Sequence, residues 1–287
     1  MESIQDHEPV TPVRPAAAYI GGKKNLAVRL VKRIEATPHS LYAEPFVGMG
    51  GVFLKRHTRP RAEVINDISK DVTTFFRILQ RHYVPFVEMM RFQLTTRSEF
   101  DRLLKTEPET LTDLERAARF LYLQRTSFGG RVSGRSFGVS PDRPGRFDVT
   151  KIVPILEDLH ARLSGVVIER LAWDAFIDRY DRPGTLFYLD PPYFGSERDY
   201  GDVFSRADFE RLAEKLSGIK GKFILSINDK PEVRKVFDGF KQESVKVART
   251  AGVNAKARKA VGELIISRQF DVDGTRQRSH QEPNLNP

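Results

Sequence analysis

The sequence predicts a doubly wound α/β fold: a mainly parallel sheet with helices on both faces, carrying one inserted, mostly helical lobe. Three observations lead there. Short β-patterned runs alternate with amphipathic runs on both sides of the chain's middle, a Gly-rich turn follows the first long β-patterned run, and helical periodicity alone fills the stretch between. At 287 residues the chain is long enough to bury one large core with an insertion.

Residues 1–15 are polar and Pro-bearing and are expected to be a loose tail. "YIGGKKN" follows, an aromatic with two glycines and two lysines, which alone reads as a solvated turn before a helix. From Leu41 come the strand-like "LYAEPF", the turn "VGMGG", a short helix, the strand-like "AEVIND" and the apolar-periodic "VTTFFRILQ". These place residues 16–80 in the sheet domain as a β-α-β-α opening.

Residues 81–164 read as the inserted lobe, with helical periodicity in "FVEMMRFQLTTRSEFDRLL" and "LTDLERAARFLYLQ" and then the Gly, Arg and Ser-rich "RTSFGGRVSGRSFGVSPDRPGRF". The sheet domain resumes over 165–270 with "GVVIER", "TLFYLD", "KFILSIN" and "GELIISR" as strands and "RADFERLAEKLSG" and "PEVRKVFDGF" as helices. Residues 271–287 have no apolar periodicity and are expected to be a second tail. No internal repeat is present.

Composition excludes several chemistries. The chain contains no cysteine, so disulfides, thiolate zinc sites, cysteine nucleophiles and zinc-dependent base deamination are out. The six histidines are scattered without an i, i+4 pair, and no metal is expected. No apolar run approaches the ~20 residues that span a bilayer, and the N-terminus lacks the apolar core of a signal peptide, so a cytoplasmic protein without a membrane partner is expected.

Forty-seven Lys and Arg against 38 Asp and Glu leave a charge of +9, which suits a polyanion or simple surface solubility. Its distribution is more telling. Between Arg116 and Lys151 stand eight Lys or Arg against Asp142 and Asp148, a net +6 interleaved with Phe128, Phe137 and Phe147. That pattern suits phosphate and groove contact, a solvated basic loop being the alternative. A second basic loop, "RTAGVNAKARKA", carries Arg249, Lys256, Arg258 and Lys259 and suits phosphate or a charged hairpin tip.

The site candidates sit at strand ends. "AEPFVGMGG" places Glu44 at a strand end and Gly48 and Gly50 in the turn after it, where missing Cβ atoms let the backbone approach a ligand; a tight turn without a ligand fits the same residues. No P-loop spacing occurs anywhere in the chain, which disfavours ATP hydrolysis. Asp67, ending the next strand, suits a ribose hydroxyl or a helix N-cap, and Ser69 competes for the cap.

In "LFYLDPPYFG" each proline fixes its own φ and holds the residue before it extended, so Asp190 and the Pro191 carbonyl become a rigid pair of acceptors. Neither Pro191 nor Pro192 can donate to a ladder, and Tyr193 adds a flat ring. An amino group on a planar aromatic ring is the ligand such a site would grip; a Pro-rich strand exit with Asp as turn former is the alternative. The following "GSERDYGDVF" reads as a mobile flap or as a plain loop.

Taken in order, "YIGGKKNL", "EPFVGMGGVFL", "INDIS", "LYLQRTSFGGR", "LYLDPPYFG" and "GELIISR" closely resemble the Dam-like (D12 class) adenine-N6 DNA methyltransferases, over nearly all of Tyr19 to Arg268. The resemblance implies a Rossmann-like sheet binding S-adenosylmethionine, with cofactor contacts from Tyr19, Lys23, Glu44, Pro45, Phe46, Gly48, Gly50, Asp67, Ile68 and Asp190. It implies that Asp190, Pro191, Pro192 and Tyr193 receive an adenine rotated out of double-stranded DNA, and that the insert is a target-recognition lobe.

DNA contacts are then expected from Lys24, Arg125, Ser127, Arg131, Arg135, Arg143, Arg146, Lys256, Arg258 and Lys259, in a monomer encoded by a bacterium or phage. Beyond Val132 the lobe departs from the family's fuller basic hairpin, so the recognition sequence is left open. Cytosine N4 or RNA adenine as the acceptor, and a silent DNA-binding relative, are the alternatives.

Overall fold

The computed structural model describes residues 7–23, 25–138, 142, 144–196, 204–247 and 261–268. The described strands are β1 (Glu8–Pro9), β2 (Leu41–Glu44), β3 (Thr58–Arg59), β4 (Ala62–Asn66), β5 (Val167–Glu169), β6 (Thr185–Leu189), β7 (Lys222–Asn228), β8 (Lys241–Val247) and β9 (Val261–Ser267). The helices are α1 (Ala27–Glu35), α2 (Lys70–Arg81), α3 (Tyr83–Met90), α4 (Arg97–Lys105), α5 (Asp113–Thr126), α6 (Val149–Arg162), α7 (Trp173–Tyr180), α8 (Arg206–Gly218) and α9 (Pro231–Val236). None is long and apolar enough to cross a membrane.

Seven strands form one sheet in the order β5-β4-β2-β6-β7-β9-β8. The first five are parallel, and β9 runs antiparallel between β7 and β8. The chain leaves β2 toward β4 and β5, then returns to β2's other side as β6. Between β2 and β6 the winding reverses, and open α/β sheets bind ligands there, beyond the carboxyl ends.

Side chains alternate between the two faces with the strand period of two. Tyr42, Ile65, Leu186, Tyr188, Ile224 and Ile265 join one core with α1 and α2, while Ala43, Val64, Phe187, Leu189, Leu225 and Ile266 join the other with α7, α8 and α9. The uninterrupted apolar run of β6 is explained by that double burial: all five of its residues are buried.

The inserted segment shares the first of these cores. Phe86, Met90, Phe100, Phe120, Ile152 and Leu156 belong to the same cluster as Tyr42 and Ile65, and Phe120 packs on Phe75 of α2 at 5.9 Å between ring centroids. Whatever the lobe touches is therefore rigidly referenced to the sheet. At the lobe's far end Arg162 and Arg56 converge on the buried Glu63 of β4, with Arg162 donating to it at 2.7 Å through both terminal nitrogens.

Three expectations need correction. The polar start is not loose from His7 onward: β1 pairs with β3, Val13 N–H donates to Leu54 O at 2.8 Å, and Val13 is buried. The run "FVEMMRFQLTTRSEFDRLL" is two helices, because Thr96 turns extended and caps α4 by accepting from Glu99 N–H at 3.2 Å. The basic stretch is less exposed than its composition implies, since Arg116 and Arg119 are buried, Arg116 bound to Asp71 and Glu109 and Arg119 to the Leu103 carbonyl.

Candidate active site

Four acidic side chains converge at the carboxyl edge of the sheet, each delivered by a different strand. Glu44 is the last residue of β2, Asp67 follows β4 and Asp190 follows β6. The fourth is Glu263. Because β9 is antiparallel, its beginning lies at this edge, and Glu263 pairs with Asn228, the last residue of β7.

The Gly-rich turn is held by Asp67. One carboxylate oxygen accepts from Gly48 N–H and the other from Ser69 N–H, both at 2.9 Å. Ser69 then caps α2, so of the two residues competing for the cap it is the serine that takes it. Gly48 and Gly50 have φ of +51° and +74°, which L side chains rarely adopt, and a Cβ on Gly48 would stand 3.0 Å from the Tyr19 ring. Tyr19, Gly48, Asp67 and Ile68 thereby line one wall of the cleft, with Ile68 40% exposed beside the acid.

Glu44 is buried, and Tyr42 donates to it at 2.6 Å. Burial pushes its carboxyl up to about 8, with the neighbouring Asp190 and Asp67 adding to the effect. Burial also raises Asp67 to about 6. Pro45 is buried, its carbonyl accepting from Asn66 Nδ2 at 2.9 Å, while Phe46 meets Phe204 edge-on at 5.7 Å. Phe204 is buried against Trp173 and Phe209, anchoring the far end of "GSERDYGDVF"; residues 197–203 of that stretch lie outside the described residues.

The Asp190–Tyr193 segment is pinned from two sides. Asn228 at the end of β7 accepts from Phe194 N–H at 2.9 Å and donates to its carbonyl at 3.0 Å. Pro191 and Pro192 are buried, and no described residue donates to the Pro191 carbonyl.

On the other side Lys23, only 4% exposed, reaches Asp190 at 3.0 Å, Glu263 at 3.2 Å and the Tyr193 hydroxyl at 2.8 Å. Its ammonium also stands 4.1 Å from the Tyr193 ring centroid, and the Tyr193 hydroxyl donates to Glu263. Burial pushes Asp190 up to about 6; Lys23 opposes this and Glu263 reinforces it.

Of the residues expected at DNA, Arg125, Arg131 and Arg146 line the cleft, with Arg131 exposed. Arg125 also donates to the Ala16 and Arg146 carbonyls, and Arg146 to Ser127 O at 3.0 Å, so both brace the lobe as well. Ser127 is buried with its hydroxyl given to Leu123 O at 2.6 Å, and Arg135 binds Gln124 and the Arg131 carbonyl away from the cleft lining. Lys24, Arg143, Lys256, Arg258 and Lys259 lie outside the described residues.

The match to known proteins decides the family. The family model for D12 class N6 adenine-specific DNA methyltransferases matches residues 19–251. The chain belongs to that family. Relatives agree in name: a Type II methyltransferase of Lactococcus lactis subsp. cremoris is 26% identical over 89% of this chain and 95% of its own length. A DNA adenine methylase of Haemophilus influenzae is 26% identical over 91% and 96%, and a Type II methyltransferase of Paramecium bursaria Chlorella virus NC1A is 23% identical over 79% and 88%.

In this methyltransferase the structure adds residues that motif reasoning left out. Glu263 and Asn228 complete the surroundings of Asp190 and Tyr193; Phe128, which the sequence already marks among the aromatics of the basic stretch, stands 52% exposed at the cleft beside Gly129, whose φ is +68°. Gly130 explains how lobe and site connect. It has φ +68°, its carbonyl accepts from Ile20 N–H at 3.0 Å, and a Cβ there would fall 2.8 Å from the Ala18 backbone. Gln124 donates to Ala18 O at 2.8 Å, so "RTSFGGR" clamps the segment that carries Tyr19 and Lys23.

Proposed function

We propose that this DNA adenine methyltransferase binds S-adenosylmethionine in the cleft at the β2–β6 reversal and methylates N6 of an adenine rotated out of double-stranded DNA, acting as a monomer. The observation that carries the reading is the clamp at the end of β6: a carboxylate, a proline carbonyl to which no described residue donates, and a half-buried aromatic ring, held together by Lys23 and Asn228.

The donor set suits the cofactor. Ile68 offers an apolar face for a purine with Asp67 beside it for a ribose hydroxyl, and the Tyr19–Gly48 contact closes one wall without a Cβ in the way. Lys23 pairs with Asp190 and Glu263, and Glu44 and Asp67 add two more carboxyl groups at the same edge, so the cleft favours an added cation. Bound there, S-adenosylmethionine supplies an electrophilic methyl group on a positively charged sulfur.

The chain's own residues do the rest. Adenine N6 is a weak nucleophile because its lone pair is delocalised into the ring. Its two N–H groups donate to the Asp190 carboxylate and the Pro191 carbonyl, which favours a pyramidal nitrogen with the lone pair freed. Transfer leaves one proton too many on N6, and Asp190, with its carboxyl raised to about 6, is placed to take it and release it to water. Tyr193 has Lys23 over one ring face and offers the other to the base, offsetting part of the few kcal/mol of unstacking. Positioning and charge supply the catalysis, with no enzyme nucleophile.

Incubating the protein with radiolabelled S-adenosylmethionine and defined duplexes, then analysing the bases, tests this. N6-methyladenine is the expected product; N4-methylcytosine, methylated RNA or no label on any DNA would refute it.

A further inference from the structure

We propose that Glu263 is a positioning residue for methyl transfer, holding Lys23 and Tyr193 from β9 so that the Asp190 carboxylate and the Tyr193 ring are set before the base arrives. The inference rests on the proposed reading of Asp190–Tyr193 as the clamp for adenine.

A Lys ammonium has three donors, and here all three are engaged: with Asp190 at 3.0 Å, with Glu263 at 3.2 Å and with the Tyr193 hydroxyl at 2.8 Å. Glu263 takes the second of these through one carboxylate oxygen, and its other oxygen accepts from the Tyr193 hydroxyl. The side chain therefore fixes both the cation that orients Asp190 and the phenol that carries the ring. The contact spans 240 residues of sequence, joining β9 to the segment before α1.

Stability alone is a poor account of the arrangement. Glu263 is 6% exposed and Lys23 4%, in a strand whose neighbours Leu264, Ile265 and Ile266 are fully buried apolar residues. Replacing a buried ion pair by well-packed apolar groups is often neutral or stabilising, so a buried charge kept at a reaction edge serves orientation better than folding. The groups facing Asp190 are Lys23 from before α1, Glu44 from β2, Tyr188 from β6, Ser226 from β7 and Glu263 from β9. Among these Lys23 is the cation, and Glu263 draws on it. Neutralising Glu263 leaves the whole cation to Asp190 and favours its ionised form.

The test compares wild-type protein with Glu263→Gln and Glu263→Ala on a duplex that the wild type methylates, over about pH 5 to 9, with cofactor affinity measured in parallel. Glu263→Ala is expected to lower kcat about 100-fold with cofactor Kd changed by less than about threefold, the scale of a reacting group misplaced by an ångström. Glu263→Gln, whose amide oxygen still accepts from Lys23 while its NH2 can donate to the Tyr193 hydroxyl oxygen, is expected to restore part of that kcat and to move the acid limb of the rate profile to lower pH than in the wild type.

Wild-type kcat in Glu263→Ala, or an unmoved acid limb in Glu263→Gln, overturns the proposal. If the alanine variant does not fold, the glutamine profile decides alone. A wild type that methylates no adenine overturns the functional reading, and this inference with it.

Discussion

As the proposed clamp for N6, Asp190 should set the pH behaviour. To bind N6 by a charge-assisted hydrogen bond and then take its proton the carboxylate must be ionised, and burial has raised it to about 6. Activity is therefore expected to fall as pH drops through about 6, well above the ordinary Asp value of 3.8, and a rate profile still flat at pH 5 would contradict this. In the proposed reading Glu44 acts on the cofactor side. Its carboxyl is raised to about 8, and a bound cation would lower it, so cofactor affinity should rise with pH up to about 8 and then level off. Calorimetry across that range checks the slope, and Glu44→Gln should flatten it. Gly48→Ala should weaken cofactor binding by about tenfold or more, because it combines a φ of +51° with a Cβ 3.0 Å from Tyr19.

At the scale of elements, α5 is the shared wall of lobe and site, running from the Thr112 capping box to the Gln124 and Arg125 contacts on the segment around Ala16 and Ala18. Thr112→Ala should cost about 1 kcal/mol, read as a shift of the denaturation midpoint, while leaving methyl transfer intact. Local chemistry made these elements legible. Ser69 marks the start of α2, helical periodicity marks α5, the two glycines mark the turn after β2, and the apolar run of β6 marks a strand buried on both faces. Glu263 was not legible as a site residue, although the strand around it was. Searching the ends of parallel strands for acids passes over the start of an antiparallel one, and no local pattern announces a partner 240 residues away. The split at Thr96 was hidden for the opposite reason, since both sides of the break carry helical periodicity.

For the whole molecule, the charge that composition concentrates between Arg116 and Lys151 divides in two. Arg116 and Arg119 are interior and brace α5 against Asp71, whereas Arg131 is exposed at the cleft. Affinity for DNA should fall steeply with salt, and Arg131→Ala should reduce the salt slope by about one. Arg116→Ala should leave that slope alone and instead destabilise the fold by about 1–3 kcal/mol, because it leaves the half-buried Asp71, among the described residues, with only the 4.0 Å ion pair to Arg119. The lobe's core is continuous with the sheet's, and the two substitutions test grip and stability separately.

The central claim is that the Asp190–Tyr193 clamp performs the transfer on adenine while the Gly48–Asp67 side of the cleft holds the cofactor. Single-turnover methyl transfer by Asp190→Ala, with cofactor affinity measured on the same preparation, tests it most directly. No N6-methyladenine above background is expected, with cofactor Kd changed less than about tenfold; methyl transfer at the wild-type rate in that variant would overturn the assignment.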